Sequence, residues 1–169
     1  MTRPRNVLAE GDAAAWPAST LSDHRPYRAI EPIFQLVYTS TFAPGRITSA
    51  RTALDTITAT SRERNIAAAV SGCLIFDGQT FVHILEGPVR SVQVVFNRIR
   101  RDRRHRALVF IGSRASDRRS FTDRPLLGIL QPGVFAEAGL SEDLESRKLR
   151  GETALALAER LATTGEPVS

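Results

Sequence analysis

Residues 69–87 read AVSGCLIFDGQTFVHILEG, and this stretch decides the fold. Two apolar runs, 70–76 and 80–85, flank the pair Asp77-Gly78. An Asp-Gly pair between such runs predicts a two-residue type I′ hairpin, because that turn needs positive φ at both central positions. Along the second run, side chains alternate between the two faces of a strand. Phe81, His83 and Leu85 point one way, and Val82, Ile84 and Glu86 the other. One histidine is thereby set among large apolar residues, which makes His83 the first candidate functional residue.

The 169 residues suit one domain of ordinary size. A hydrophobic content of 42% with 24% charged residues is that of a soluble globular protein. The longest apolar run, 66–76, is broken by Ser71 and Gly72 and is too short to cross a bilayer. MTRPRNVLAEGD has early arginines with no apolar segment behind them, so no signal peptide is expected, and the expected compartment is the cytoplasm. The single cysteine, Cys73, excludes an internal disulfide. The net charge of +5 rests on arginine, Lys148 being the only lysine. Arginines cluster at 98–106 and 114–124. Such clusters serve either as a surface for phosphate, nucleic acid or an acidic partner, or as a solvated helix end whose cations suit the helix dipole.

Outward from the hairpin, the order of elements is clear. Residues 1–31 have no sustained period, with Trp16-Pro17 and Arg25-Pro26 as breakers, and are expected to form an extension. IFQLVYT at 33–39 is a strand with Tyr38 near its end. A loop with Pro44-Gly45 leads to a helix capped by Thr48 or Ser49, its stripe made by Ile47, Ala50, Leu54, Ile57 and Ser61 and its end marked by SRERN with Asn65. After the hairpin, a helix over 91–101 is expected, capped by Ser91, with Val92, Val95, Phe96 and Ile99 on one face. ALVFIGS at 107–113 and the run at 126–130 are further strands. The predicted fold is α+β: a ferredoxin-like β-α-β-β-α-β sheet with two helices on one face, plus a C-terminal helical extension. That extension begins after Pro132-Gly133, with helices at 141–149 and 152–163 broken near Gly151, and it should cover the open sheet face or another copy of the chain. The domain organisation is therefore an N-terminal extension at 1–31, a globular unit at 32–131 and a helical tail at 132–169.

The usual enzyme chemistries find no support. His24, His83 and His105 stand in no metal-ligand spacing, and Cys73 has no partner for nucleophilic work. There is no phosphate loop, dinucleotide fingerprint or nucleophile elbow. No catalytic residue and no metal ligand is assigned.

One combination does carry a function. Tyr38 at the end of the first strand, Asn65 after the first helix, FVHILEG on the third strand and RDRRH after the second helix together resemble a BLUF domain, over residues 33–130 or so. The resemblance implies a flavin, usually FAD, whose ring lies between the two helices on the sheet. It implies that Tyr38 stands where the family has the tyrosine that gives an electron and a proton to the excited flavin. A phenol suits this, being oxidisable and a hydrogen-bond donor. Asn65 matches the asparagine that holds the flavin's carbonyl edge, since an amide donates and accepts at once. His83 falls at the position of the family's switch glutamine, followed by the well-matched Leu85, Glu86 and Gly87. Arg104 and His105 match the R-H pair near the flavin, on its ribityl-phosphate side.

Two departures accompany these matches. His83 replaces the glutamine, and an imidazole lacks the two distinct amide ends and changes charge with pH. The family's F-x-x-W-x-M segment reads FTDRPLL at 121–127, with Arg124 or Pro125 for the tryptophan, Leu126 or Leu127 for the methionine, and one extra residue before Gly128. The expected function is flavin-based blue-light sensing that signals through protein contacts, to a downstream protein or another copy, with an altered or lost photocycle. The rival is a flavin-free interaction module on the same fold. Binding of nucleic acid by RRDRRHR is disfavoured, since ALVFIGS lacks the exposed aromatics of RNA-recognition sheets.

Overall fold

The hairpin lies at the centre of the sheet. In the computed structural model, residues 32–45, 49–122 and 124–164 are described. The extension at 1–31 lies outside them, as do Ile47 and Thr48 of the first helix's expected stripe and cap. The strands are β1 (Ile33–Phe42), β2 (Ser71–Phe76), β3 (Thr80–Gly87), β4 (His105–Ser116) and β5 (Leu127–Leu130). The helices are α1 (Ala50–Ala67), α2 (Val89–Ile99), α3 (Val134–Glu137), α4 (Ser141–Glu145) and α5 (Gly151–Thr164). The sheet order is β4-β1-β3-β2-β5. β3 runs antiparallel to both β1 and β2, β4 is antiparallel to β1, and β5 is parallel to β2. This is the ferredoxin-like arrangement with one strand added at the β2 edge.

Alternation along the central strands builds two cores. Leu74, Phe76 and Phe81 pack with Phe42 against Ala53, Leu54 and Ile57 of α1. Val37, Cys73, Ile75, Val82 and Ile84 face the other way, against Leu155, Leu157 and Leu161 of α5. The C-terminal helices thus close the sheet face that α1 and α2 leave open, and each buried leucine contributes roughly 1.5–3 kcal/mol. Two glycines permit close approach. A Cβ on Gly72 would collide with the Ile84 carbonyl oxygen, and one on Gly128 would lie 2.7 Å from the Thr58 methyl.

Several local expectations are corrected. The hairpin is not a two-residue type I′ turn: Phe76 pairs with Phe81, which leaves residues 77–80 between them. Only Gly78 has positive φ there. Asp77 Oδ1 instead accepts from the backbone N–H of Gln79 at 2.8 Å and of Thr80 at 2.7 Å. This side-chain cap satisfies the loop without a left-handed residue at position 77. Helix α1 is capped by Ser49, whose hydroxyl accepts from Thr52 N–H, and it continues past Asn65. It ends with Val70 N–H bonded to Asn65 C=O and Ala69 N–H to Ile66 C=O. Ala69 takes the left-handed position at φ 53° where glycine is usual. Helix α2 starts at Val89 behind Pro88, not at a Ser91 cap, because proline loses no needed N–H there. Strands β1 and β4 are longer than expected, and their pairing shifts register on either side of Tyr38 and Thr39. The tail also contains α3, while its 141–149 segment is helical only to Glu145.

Candidate functional site

The β1–β3 register sets Tyr38 directly opposite His83, with Leu74 of β2 on His83's other side. Tyr38 is fully buried and His83 is 3% exposed. The Tyr38 hydroxyl lies 2.7 Å from His83 Nδ1, and the two rings are 5.2 Å apart. Phe96 from α2 covers Tyr38 at 5.3 Å. The two β4 register shifts bracket this position, as bulges commonly do beside functional side chains.

Burial, and then the nearby His105, lowers the His83 pKa to about 3, so its imidazole is neutral. Burial, and then Asp102, raises the Tyr38 phenol well above its ordinary range. With both groups neutral, the hydrogen positions follow from counting. If Tyr38 donates to Nδ1, the imidazole proton sits on Nε2 and one group is unmatched. If Nδ1–H donates to the phenol oxygen, both the phenol O–H and the Nε2 lone pair are unmatched. The first arrangement is favoured, since each buried unmatched group costs about 1–3 kcal/mol. His83 Nε2 is buried and has no partner among the described residues. It is a donor held without an acceptor.

His105 joins this cluster. Its ring lies 4.9 Å from Phe81 and 6.3 Å from Tyr38, and its Nδ1 is 2.8 Å from Ser40 Oγ. Burial lowers its pKa to about 4, with Asp102 opposing and Arg104 assisting. Arg104 and Asn65 are placed apart from the pair. The Arg104 guanidinium is bound to Asp102 in its own loop, with Nε 3.0 Å from each carboxylate oxygen. Burial would raise the Asp102 pKa, but hydrogen bonds and charge from Arg104 bring it below its ordinary value. Asn65, 3% exposed on the last turns of α1, donates through Nδ2 to the Pro125 carbonyl at 2.9 Å. It ties α1 to the chain entering β5.

Sequence reasoning missed Ser40, which alternation along β1 from Tyr38 would have found. It also missed the buried pair Gln35 and Glu86 on the opposite face. A carboxylate in the middle of an apolar alternation was the available signal. The second arginine cluster is partly structural: Arg114 donates to Gln35 Oε1, and Arg119 donates to Ser71 Oγ and the carbonyls of Glu86 and Ala69. Among the described residues no helix is long and apolar enough to cross a membrane.

The sequence profile described as "Sensors of blue-light using FAD" (BLUF) matches residues 33–126. Among solved structures, the chain is similar to BlsA in its photo-activated state, with 19% identity, 81% of this chain and 99% of that one covered, and a TM-score of 0.68. It is similar to BlrB, a BLUF protein in its dark state, at 24% identity, 80% and 98% coverage and a TM-score of 0.63. It is also similar to Klebsiella pneumoniae BlrP1 with FMN and cyclic diGMP, at 26% identity, 58% and 25% coverage and a TM-score of 0.52. No curated protein sequence matches.

Proposed function

The chain belongs to the BLUF family, the sensors of blue light using FAD, and on that premise we propose that it binds a flavin and senses blue light through Tyr38 and His83, signalling by protein contacts and not by catalysis. The observation that carries this reading is the buried, unpartnered Nε2 of His83, whose ring is fixed from the other side by Tyr38. A flavin edge offers carbonyl and ring-nitrogen acceptors, the group that an Nε2–H donor lacks, so the residues present fit the cofactor. His83 would hold that edge. His105 stands beside the pair, and Asn65 and Arg104 would join once their present partners, Pro125 and Asp102, are shared or released.

A bound flavin supplies blue-light absorption and, when excited, an acceptor for an electron from a nearby phenol. Tyr38 is the phenol in place. Its proton can pass along the 2.7 Å bond to Nδ1 only if the Nε2 proton passes at the same time to the acceptor edge that Nε2 would hold, so that the imidazole stays neutral. The imidazole then holds the opposite tautomer, with Nδ1–H donating to the Tyr38 oxygen. An amide reverses its bonds by rearranging its two ends, whereas an imidazole does so by moving a proton between two fixed nitrogens. His83 therefore retains a two-state character without the glutamine. In this reading residues 32–131 form the sensing unit and 132–169 its output segment. A flavin-free interaction module is the second reading, favoured by Asn65 and Arg104 already having protein partners.

The test is the visible spectrum of the purified chain after addition of FAD or FMN, in the dark and under blue light. A flavin band that shifts reversibly to the red, and no longer does so in Tyr38→Phe, supports the sensor. A band that only bleaches removes the switch, and absence of binding to either flavin selects the interaction module. His83→Gln should bind flavin in either flavin-binding case.

A further inference from the structure

The strands that hold Tyr38 and His83 carry a second buried pair on the opposite face. Gln35 and Glu86 stand opposite each other in the β1–β3 register, three residues along from Tyr38 and His83. Glu86 is fully buried and its carboxylate accepts four hydrogen bonds. Oε2 takes Gln35 Nε2 at 2.8 Å and the Ser120 N–H at 2.7 Å. Oε1 takes the Phe121 N–H at 2.8 Å and the Ser71 hydroxyl at 3.3 Å. Ser120 in turn donates through Oγ to Glu159 on α5 at 2.6 Å.

We propose that Glu86 is a positioning residue that couples the Tyr38–His83 pair to helix α5 through Gln35, Ser120 and Glu159. The inference extends the sensor reading, and rests on it for its purpose. Tyr38–His83 and Gln35–Glu86 bridge the same two strands from opposite faces, about 10 Å apart along them. A slide or splay of β3 against β1 that alters one bridge must alter the other. Apolar packing alone would let the segment before β5 lag behind such a shift. A carboxylate gripping two successive backbone N–H groups makes that segment follow β3, since charge-assisted bonds are short and directional. Ser120 then delivers the movement to the outer side of α5, the surface a partner can reach.

Hydrogen–deuterium exchange of the α5 amides in the full chain tests this without flavin or light, so its failure is distinct from failure of the sensor, which the visible spectrum reads. Tyr38→Phe, which removes the bond to His83, should change α5 exchange by about threefold or more, within the range of coupling between linked sites. In Ser120→Ala, and again in Glu159→Ala, the same substitution should leave α5 exchange unaltered. A purely structural Ser120 would shift the baseline but keep the Tyr38 effect, because unconnected sites add. An equal Tyr38→Phe effect in all backgrounds, or none in any, overturns the proposal.

Discussion

Replacing Glu86 by glutamine changes one atom and tests the second-face network directly. The wild-type carboxylate has acceptors on both oxygens, each already receiving two donors. An amide keeps one oxygen and turns the other position into a donor. If the NH2 takes the Oε1 side, it meets the Phe121 N–H; if it takes the Oε2 side, it meets the Ser120 N–H. Either choice strands one buried backbone donor, which costs about 1–3 kcal/mol. The side-chain donors can adapt only in part. Ser71 Oγ already accepts from Arg119, and Gln35 Oε1 already accepts from Arg114, so turning either group breaks another bond. Loss of the charge weakens the bonds that survive, since those to ionised groups are worth about 1.5–3 kcal/mol. The expected destabilisation is about 3 kcal/mol, or a fall in Tm of roughly 6–12 °C for a chain of this size. Urea unfolding and thermal melts of wild type and Glu86→Gln measure it, with far-UV circular dichroism confirming an unchanged fold. A difference below about 0.5 kcal/mol, ordinary for a surface substitution, would mean that the carboxylate does not hold the segment at Ser120–Phe121, and the inference built on it would fall as well.

Other substitutions probe the backbone and the histidines. Ala69→Gly relieves a left-handed alanine that is exposed and loses no packing, and should raise stability by about 1 kcal/mol in thermal melts. Gly72→Ala pushes a methyl into the Ile84 carbonyl between two central strands and should cost at least about 3 kcal/mol or prevent soluble expression. The buried histidines make the fold acid-sensitive. Their folded pKa values, about 3 for His83 and about 4 for His105, lie below the ordinary 6.5. The unfolded chain therefore binds protons first, and stability falls as pH drops from 6.5 towards those values. Between pH 7.5 and 5.0 the loss should be about 2 kcal/mol from His83 and somewhat less from the partly exposed His105. Urea unfolding of His83→Gln should show roughly half the wild-type pH dependence, and an unchanged dependence would contradict the neutral, buried state of His83.

Patterns of period two and 3.6 made most of the architecture legible. The strands, the two helices and the closing tail follow from which residues repeat on which face, and burial enforces that choice across the whole element. Local endings were less legible because partners distant in sequence decide them. The hairpin loop obeys the Asp77 carboxylate, and the α1 terminus settles on Ala69 with Arg119 donating to its carbonyl. The same holds for the candidate site. Tyr38 and His83 meet because of strand register; alternation spoke only for the face of His83, and the family resemblance brought the two residues together. The attachment of Asn65 to Pro125 and of Arg104 to Asp102 depends on loops that have no period to read. Glu86 was visible only as part of a motif, although a charge at an inward position of a central strand already demanded buried donors.

The histidine at position 83 would be a liability in a wetter site. An exposed imidazole near its ordinary pKa would be partly charged at neutral pH, and as an imidazolium it would donate from both nitrogens. It could then accept nothing from Tyr38. Burial prevents this, and a charge on His105 further disfavours a second one on His83. The same burial that leaves Nε2 unpartnered therefore also keeps Nδ1 available as an acceptor. Neutrality, a fixed ring and one unsatisfied donor are a single consequence of placing His83 on the central strand between two packed layers. A glutamine there is neutral at any pH, whereas a histidine is kept neutral only through that packing.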